Sequence, residues 1–213
     1  MLRHPRSVRA IAGEIGAAAD GALNSYRDGD VVEEPHVTDR VLGAICDRLG
    51  SRRIGGLVWR ARTLRTSSGT AAEERRHGAD LMGVLDINIP GYHAKKGFLA
   101  QAKKAEPGTP FRVRDWSALV AQCHLMLART PDSFVFVYSM EWGIRIFPAN
   151  SVVGLASSDI FQLYSRGVSG FFESHIECFI GDPRLNSTDI KTLDALIDLP
   201  VERILELSAR AAA

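Results

Sequence analysis

The chain has 213 residues, of which 46% are apolar and 24% charged, and 26 Lys+Arg against 25 Asp+Glu leave a formal net charge of +1. That length suits one substantial core with appendages, and the apolar content excludes extensive disorder. A net charge so close to zero gives no global electrostatic case for nucleic-acid binding, so any such affinity must come from local patches.

In chain order, Val8, Ile11, Ile15, Ala18, Ala19, Ala22 and Tyr26 fall at helical spacing and predict an amphipathic helix over 7–26. Arg27-Asp-Gly-Asp30 reads as a turn, and a second helix is expected over 35–49, with Pro35 in its first turn and Val37, Val41, Leu42, Ile45 and Leu49 inward. After Gly55-Gly56, residues 57–64 alternate apolar or small residues with arginines, the pattern of a half-buried strand, until Ser67-Ser-Gly-Thr70 breaks it. Residues 79–89 alternate again, with Leu81, Leu85, Ile87 and Ile89 on one face and Asp80, Met82, Val84, Asp86 and Asn88 on the other. Pro90-Gly91 turns the chain, and a third strand over 97–103 places Leu99, Gln101 and Lys103 on a shared side.

Beyond the loop at 106–110, a helix over 115–129 is expected with the stripe Trp116, Leu119, Val120, Cys123 and Leu127. Two buried strands follow, over 133–140 and 143–147, whose Phe134, Phe136 and Tyr138 are read as core. The tail is expected to hold a mixed segment over 171–180 and two helices, over 187–197 and 201–211. The expected organisation is an N-terminal helical extension over 1–30, a core over 31–150 and a mostly helical C-terminal extension over 151–213.

Cys46, Cys123 and Cys178 are far apart and never form a Cys-x-x-Cys pair, which predicts reduced thiols and a cytoplasmic setting, without a zinc site. No stretch reaches the roughly 18 apolar residues of a membrane span, so no membrane partner is expected. The segment Met1–Gly13 lacks the apolar core of a signal peptide, and its arginines without acids are a feature it shares with organelle presequences. Basic residues cluster at Arg52/Arg53 with Arg60/Arg62/Arg65, at Lys95/Lys96 with Lys103/Lys104, and at Arg112/Arg114. None of the 6 histidines forms a His-x-x-x-His pair; His77, three residues before Asp80, is read as structural ahead of any phosphate or metal contact.

Three strands followed by a helix and a further strand point to an α/β fold, a mixed central sheet flanked by helices. With Gly78-Ala-Asp80 leading into one strand, Gln101-Ala-Lys103 on the next and Glu33/Glu34 opening the preceding helix, residues 30–150 resemble the core of the PD-(D/E)XK, or restriction-endonuclease-like, nuclease superfamily. The phrases at 73–80 and 96–103 are similar to small bacterial and phage-defence nucleases. Gln101 departs from the usual acidic residue and resembles the Gln-x-Lys variant of type IV restriction and related nucleases, which often carries a second glutamine on a helix; Gln122 matches it.

The resemblance implies a DNA endonuclease dependent on Mg²⁺ or Mn²⁺, with Asp80, Gln101, Lys103, Glu34 and Gln122 as site residues and Asp80, Gln101 and Glu34 toward the metal. The chemistry explains that set. A metal neutralises charge growing on a phosphate and lowers the pKa of an attacking water, Mg²⁺ prefers one or two carboxylates plus waters, and a positioned lysine orients the water and stabilises transition-state charge. Two further readings stand beside it: a non-catalytic nucleic-acid-binding member of the same fold, and an interaction module whose C-terminal helices recruit an effector of a defence system. Two cuts in a duplex call for two sites, so a homodimer is expected.

Overall fold

The computed structural model describes residues 5–30, 33–65, 79–189 and 201–212. Its helices α1 (Pro5–Arg27) and α2 (Glu34–Leu49) precede the strands β1 (Arg52–Ile54), β2 (Leu57–Arg65), β3 (Ala79–Ile89) and β4 (Tyr92–Lys104). Helix α3 (Val113–Leu127), strands β5 (Ser133–Ser139) and β6 (Gly143–Pro148), helix α4 (Ala149–Gly154), the short strand β7 (Arg166–Gly167), helix α5 (Val168–Ile176) and strand β8 (Val201–Ala211) follow. The described strands form one mixed sheet of order β1-β2-β8-β3-β4-β5-β6-β7. The chain is therefore an α/β protein with helices on both faces of its sheet, as the element pattern predicts.

Because β3, β4 and β5 are covered on both sides, they bury residues of both parities. Leu81, Leu85, Ile87, Phe98, Ala102, Phe136 and Tyr138 join the core under α1, α2 and α5. Met82, Val84, Leu99, Val135 and Val137 join the core under α3 and α4. Phe171 of α5 anchors the first layer, with its ring centroid 4.9 Å from both Phe98 and Phe134 in edge-to-face geometry. Burying each such ring contributes about 2–3 kcal/mol, and the edge contacts add to it. The ring of Phe98 also fills the place of a side chain on β3: a Cβ on Gly83 would lie 2.2 Å from Phe98 Cε1. Only glycine fits there.

Strand β4 starts earlier than the sequence pattern suggests. Ile89 pairs with Tyr92, so Pro90-Gly91 is a two-residue hairpin turn, with Gly91 at φ +74°. Proline followed by glycine at positive φ suits a type II turn, and the polar residues after it belong to the hairpin's alternation. Helix α3 buries Leu119, Cys123 and Met126; Met126 belongs to the stripe, and Val120 sits at its margin.

The largest departure is the tail. The segment 201–211, expected to be helical, is strand β8, inserted between β2 and β3, antiparallel to the first and parallel to the second. Its Val201, Ile204, Leu205 and Leu207 mimic helical spacing, but Val201, Arg203, Leu205, Leu207 and Ala209 are buried and alternate with the more exposed Glu202, Glu206, Ser208 and Arg210, a period of two that only the buried Ile204 interrupts, and pairing with β2 and β3 overrides the local helical preference. The other tail helix, expected over 187–197, falls mainly outside the described residues, and 187–189 are not helical. Residues after 150, expected to be mostly helical, thus supply β7 and β8 to the sheet beside α5.

Candidate active site

The strand directions bring the predicted residues to one end of the sheet. β4 and β5 run parallel and finish there, while β3, antiparallel to β4, and β8, parallel to β3, begin there. Asp80 opens β3 and Gln101 and Lys103 close β4. Leu81 pairs with Ala100, so Asp80 stands opposite Gln101. The Asp80 carboxylate accepts a hydrogen bond from Gln101 Nε2 and another, at 2.7 Å, from the backbone N–H of Ala102.

Glu34 arrives from a different layer. Helix α2 packs on the face opposite Lys103, but its first turn reaches the end of the sheet, where Lys103 Nζ lies 3.4 Å from Glu34 Oε1. Two anchors hold that turn. Tyr138 of β5 donates to Thr38 Oγ1 at 3.0 Å, and Thr38 donates to the Glu34 carbonyl at 3.1 Å. Arg203 of β8, itself buried, donates to Asp39 Oδ1 at 2.5 Å and to the Pro35 carbonyl at 3.5 Å. The neighbouring Glu33 precedes the helix and is exposed. Glu34 is therefore the member of the acidic pair that joins Lys103.

The electrostatics follow from this enclosure. Burial raises the Asp80 carboxyl above the usual carboxylate range, while Lys103 and the Ala102 and Gln101 donors pull it down and Glu202 pushes it up. Burial likewise raises Glu34, opposed by Lys103 and the backbone N–H of Lys104 and reinforced by Asp80. Position at the start of α2 also favours a negative side chain at Glu34. Sequence reasoning missed Glu202 because it assigned that segment to a helix.

Gln101 is almost wholly buried, and its Oε1 has no hydrogen-bond partner among the described residues; Gln122 Oε1, on α3, is buried in the same condition. No hydrogen bond among the described residues joins Gln122 to Asp80, Gln101 or Lys103. A buried acceptor without a donor is costly, and the cost is removed by a cation or an ordered water. Among the described residues no three His, Cys, Asp or Glu side chains converge as a metal-binding group. Two carboxylates and an amide carbonyl are an all-oxygen donor set, and such a set suits Mg²⁺ or Mn²⁺ completed by waters. His77 lies outside the described residues.

The three basic clusters separate in space. Arg52 pairs with Glu14, Arg62 with Glu206 and Arg65 with Asp39, so much of the first cluster is neutralised. In the second, Lys96 is buried and donates to the Ile180 carbonyl, Lys95 faces Asp86, Lys103 enters the site and Lys104 lies over the Tyr26 ring. Arg112 and Arg114 are exposed beside the start of α3, which follows β4 by a short loop at the site's end of the sheet. No described helix is long and apolar enough to cross a membrane. Comparison with protein-family models, curated protein sequences and solved structures returns no match.

Proposed function

We propose that this protein is a metal-dependent nuclease that hydrolyses DNA phosphodiester bonds. The observation that carries the reading is the junction of Asp80, Gln101, Lys103 and Glu34, drawn from the β3–β4 hairpin and the remote helix α2, at one end of one sheet. Bringing a lysine and two carboxylates together in a half-buried place costs desolvation, and such perturbed groups concentrate where chemistry is done.

Asp80, Glu34 and the carbonyl oxygen of Gln101 would hold the metal. When bound, a divalent cation at such a site neutralises phosphate charge and makes a water more acidic. Lys103 stands beside these oxygens, where its ammonium orients a water or a phosphate oxygen and stabilises negative charge in the transition state. Ala102 N–H and Gln101 Nε2 fix the Asp80 carboxylate in one orientation. Lys103, Lys104, Arg112 and Arg114 give this end of the sheet positive charge for a phosphate backbone, a local patch on a chain of formal net charge +1. Restriction, phage defence and DNA processing in a cytoplasm are the settings this activity fits, with a homodimer or a defence-system partner as its assembly.

The test is cleavage of supercoiled and linear DNA with Mg²⁺ or Mn²⁺, with chelator as control. Cleavage is expected from the unsubstituted chain, is expected to vanish in Asp80→Asn and is expected to fall steeply in Lys103→Ala, with both proteins folded. Full cleavage by both variants overturns the proposal. Metal-independent DNA binding without cleavage would instead identify a non-catalytic binding protein.

A further inference from the structure

The register of the sheet lines up a second cation with Lys103. Lys103 pairs with Val137 in the parallel ladder of β4 and β5, and Val137 pairs with Arg145 in the antiparallel ladder of β5 and β6. Paired residues of neighbouring strands share a face. Lys103 and Arg145 therefore stand at one level on the α3 side of the sheet, with the buried Val137 between them. Strands lie about 4.8 Å apart, so the two backbones are about 10 Å from each other. Arg145 is half-buried, donates from Nε to Ser165 Oγ at 3.0 Å, and has no carboxylate partner among the described residues.

Beside it stands an exposed aromatic ring. Residues 140–142 join β5 to β6 at the end of the sheet that holds Asp80 and Lys103, and Met140 and Trp142 there are each 48% exposed. The tip is nevertheless tied down. The Glu106 carboxylate accepts from Ser139 Oγ and from the backbone N–H of Met140, both at 2.7 Å, and Ser139 Oγ accepts from the Trp142 N–H at 2.9 Å. Arg27 Nε donates to the Met140 carbonyl at 2.9 Å. The indole packs edge-to-face with Phe161, centroids 5.3 Å apart, and the Arg145 guanidinium lies 6.0 Å from its centroid. Its Nε1 donates to Glu141 at 3.1 Å, so what Trp142 offers to solvent is apolar ring surface.

We infer that Trp142 and Arg145 form a subsite for a nucleotide close to the scissile phosphate, and that the substrate strand is unpaired there, as in single-stranded DNA or a duplex opened at the cut. This rests on the reading of the site as a DNA nuclease. An indole stacks on a base of any sequence, provided that the base has left the duplex stack. The guanidinium beside it suits a phosphate oxygen of the same strand. The row Trp142, Arg145, Lys103 gives that strand a path toward Asp80, and its cations call for a polyanion where an apolar protein surface would not. A tip already held by hydrogen bonds loses little freedom when a base settles on it.

Fluorescence anisotropy of the full chain, in chelator, with a labelled single-stranded oligonucleotide and with the same sequence as a duplex tests this. The single strand is expected to bind more tightly and to quench tryptophan emission. Trp142→Leu should weaken that binding on the order of tenfold, the scale of one base on an aromatic platform, and remove most of the quenching, while Trp142→Phe keeps more of the affinity. Arg145→Gln should flatten the dependence of log affinity on log salt by about 0.7, the loss of one phosphate contact on a single strand. Unchanged single-strand affinity in a folded Trp142→Leu protein overturns the subsite; if light scattering also shows that self-association is lost, the tip is a contact between copies of the chain instead. Tighter binding of the duplex, with faster Asp80-dependent cleavage of it, overturns the substrate class and leaves the nuclease standing. Neither binding nor cleavage of either DNA overturns the nuclease reading, and the subsite with it.

Discussion

Lys103 Nζ lies 3.4 Å from Glu34 Oε1, an ion pair that joins the end of β4 to the first turn of α2 across 69 residues of sequence. Both side chains are partly enclosed, at 21% and 26% exposure. The pair therefore counts for more than a solvated surface bridge. It ties a lysine on one face of the sheet to a helix packed on the other, and it opposes the burial that raises the Glu34 carboxyl.

The first prediction concerns that lysine. Lys103→Ala should lower DNA cleavage by on the order of 10²–10³-fold, the range seen when one stabilising group is removed from a transition state. The far-ultraviolet circular dichroism of the variant should match the parent. Cleavage at the parental rate would show that Lys103 serves only as a partner for Glu34.

A second follows from the raised carboxyls. Burial holds Asp80 and Glu34 above the ordinary carboxylate range, so each ionises less readily in the folded chain than in the unfolded one. Their ionisation opposes folding: their contribution to stability is best below about pH 4, the unfolded carboxylate value, and declines as pH rises through the raised folded values. Asp80→Asn and Glu34→Gln should accordingly raise Tm at about pH 8, by about 2–4 °C if the gain is ~1 kcal/mol, and lose that gain near pH 4. Melting curves at both pH values decide it; a gain larger in acid contradicts the argument.

The third concerns Tyr138, whose hydroxyl is the link between β5 and α2. Tyr138→Phe removes a buried hydrogen bond to Thr38 and should cost about 1 kcal/mol in urea unfolding. Because Thr38 holds the Glu34 carbonyl, the same variant should also reduce cleavage several-fold while Asp80-dependent Mn²⁺ binding persists. A loss of stability with cleavage intact would confine Tyr138 to the core.

A fourth isolates packing far from the chemistry. Gly83→Ala forces a methyl group toward the Phe98 ring, and overpacking of this kind should destabilise by about 1–3 kcal/mol. Denaturant midpoints measure it, and a variant as stable as the parent would mean that Phe98 has room to move.

The fifth uses His175, wholly buried on α5, where burial and the nearby Lys96 push its pKa down to about 3. The neutral ring is favoured in the folded chain, so the stabilisation is complete above about pH 6.5, the unfolded value, and is lost as pH falls toward the folded one. Between those limits it should contribute a slope of about 1.4 kcal/mol per pH unit, and His175→Gln should flatten the acid limb of the stability curve. Unfolding free energies from pH 7 down to about pH 4 test the slope.

Much of the site is legible in the residues alone. The period of two along 97–103 puts Gln101 and Lys103 on one side, and the strand that Asp80 opens follows from the alternation after it, since such patterns are local. The helix carrying Glu34 is equally local, in its proline and its apolar stripe. The resemblance picks Glu34 of the acidic pair; what the sequence does not show is how α2 is seated by Tyr138 and Arg203, contacts that span the chain. The basic clusters mislead for the same reason, since Arg52, Arg62 and Arg65 find acidic partners that lie far off in sequence.

Local repeats of two or of 3.6 were enough for the α/β class, the strands β3 to β6, the first three helices and the residues worth testing. The fold alone made residues 201–211 a strand, set that strand between β2 and β3, and brought Glu202 beside Asp80. Along that strand Leu205, Leu207 and Ala209 alternate with Glu206, Ser208 and Arg210, and only the buried Ile204 breaks the period of two and completes a helix-like spacing with Val201 and Leu205. Spacing that suits a helix is then overruled by the hydrogen bonds and apolar surface a sheet offers on either side.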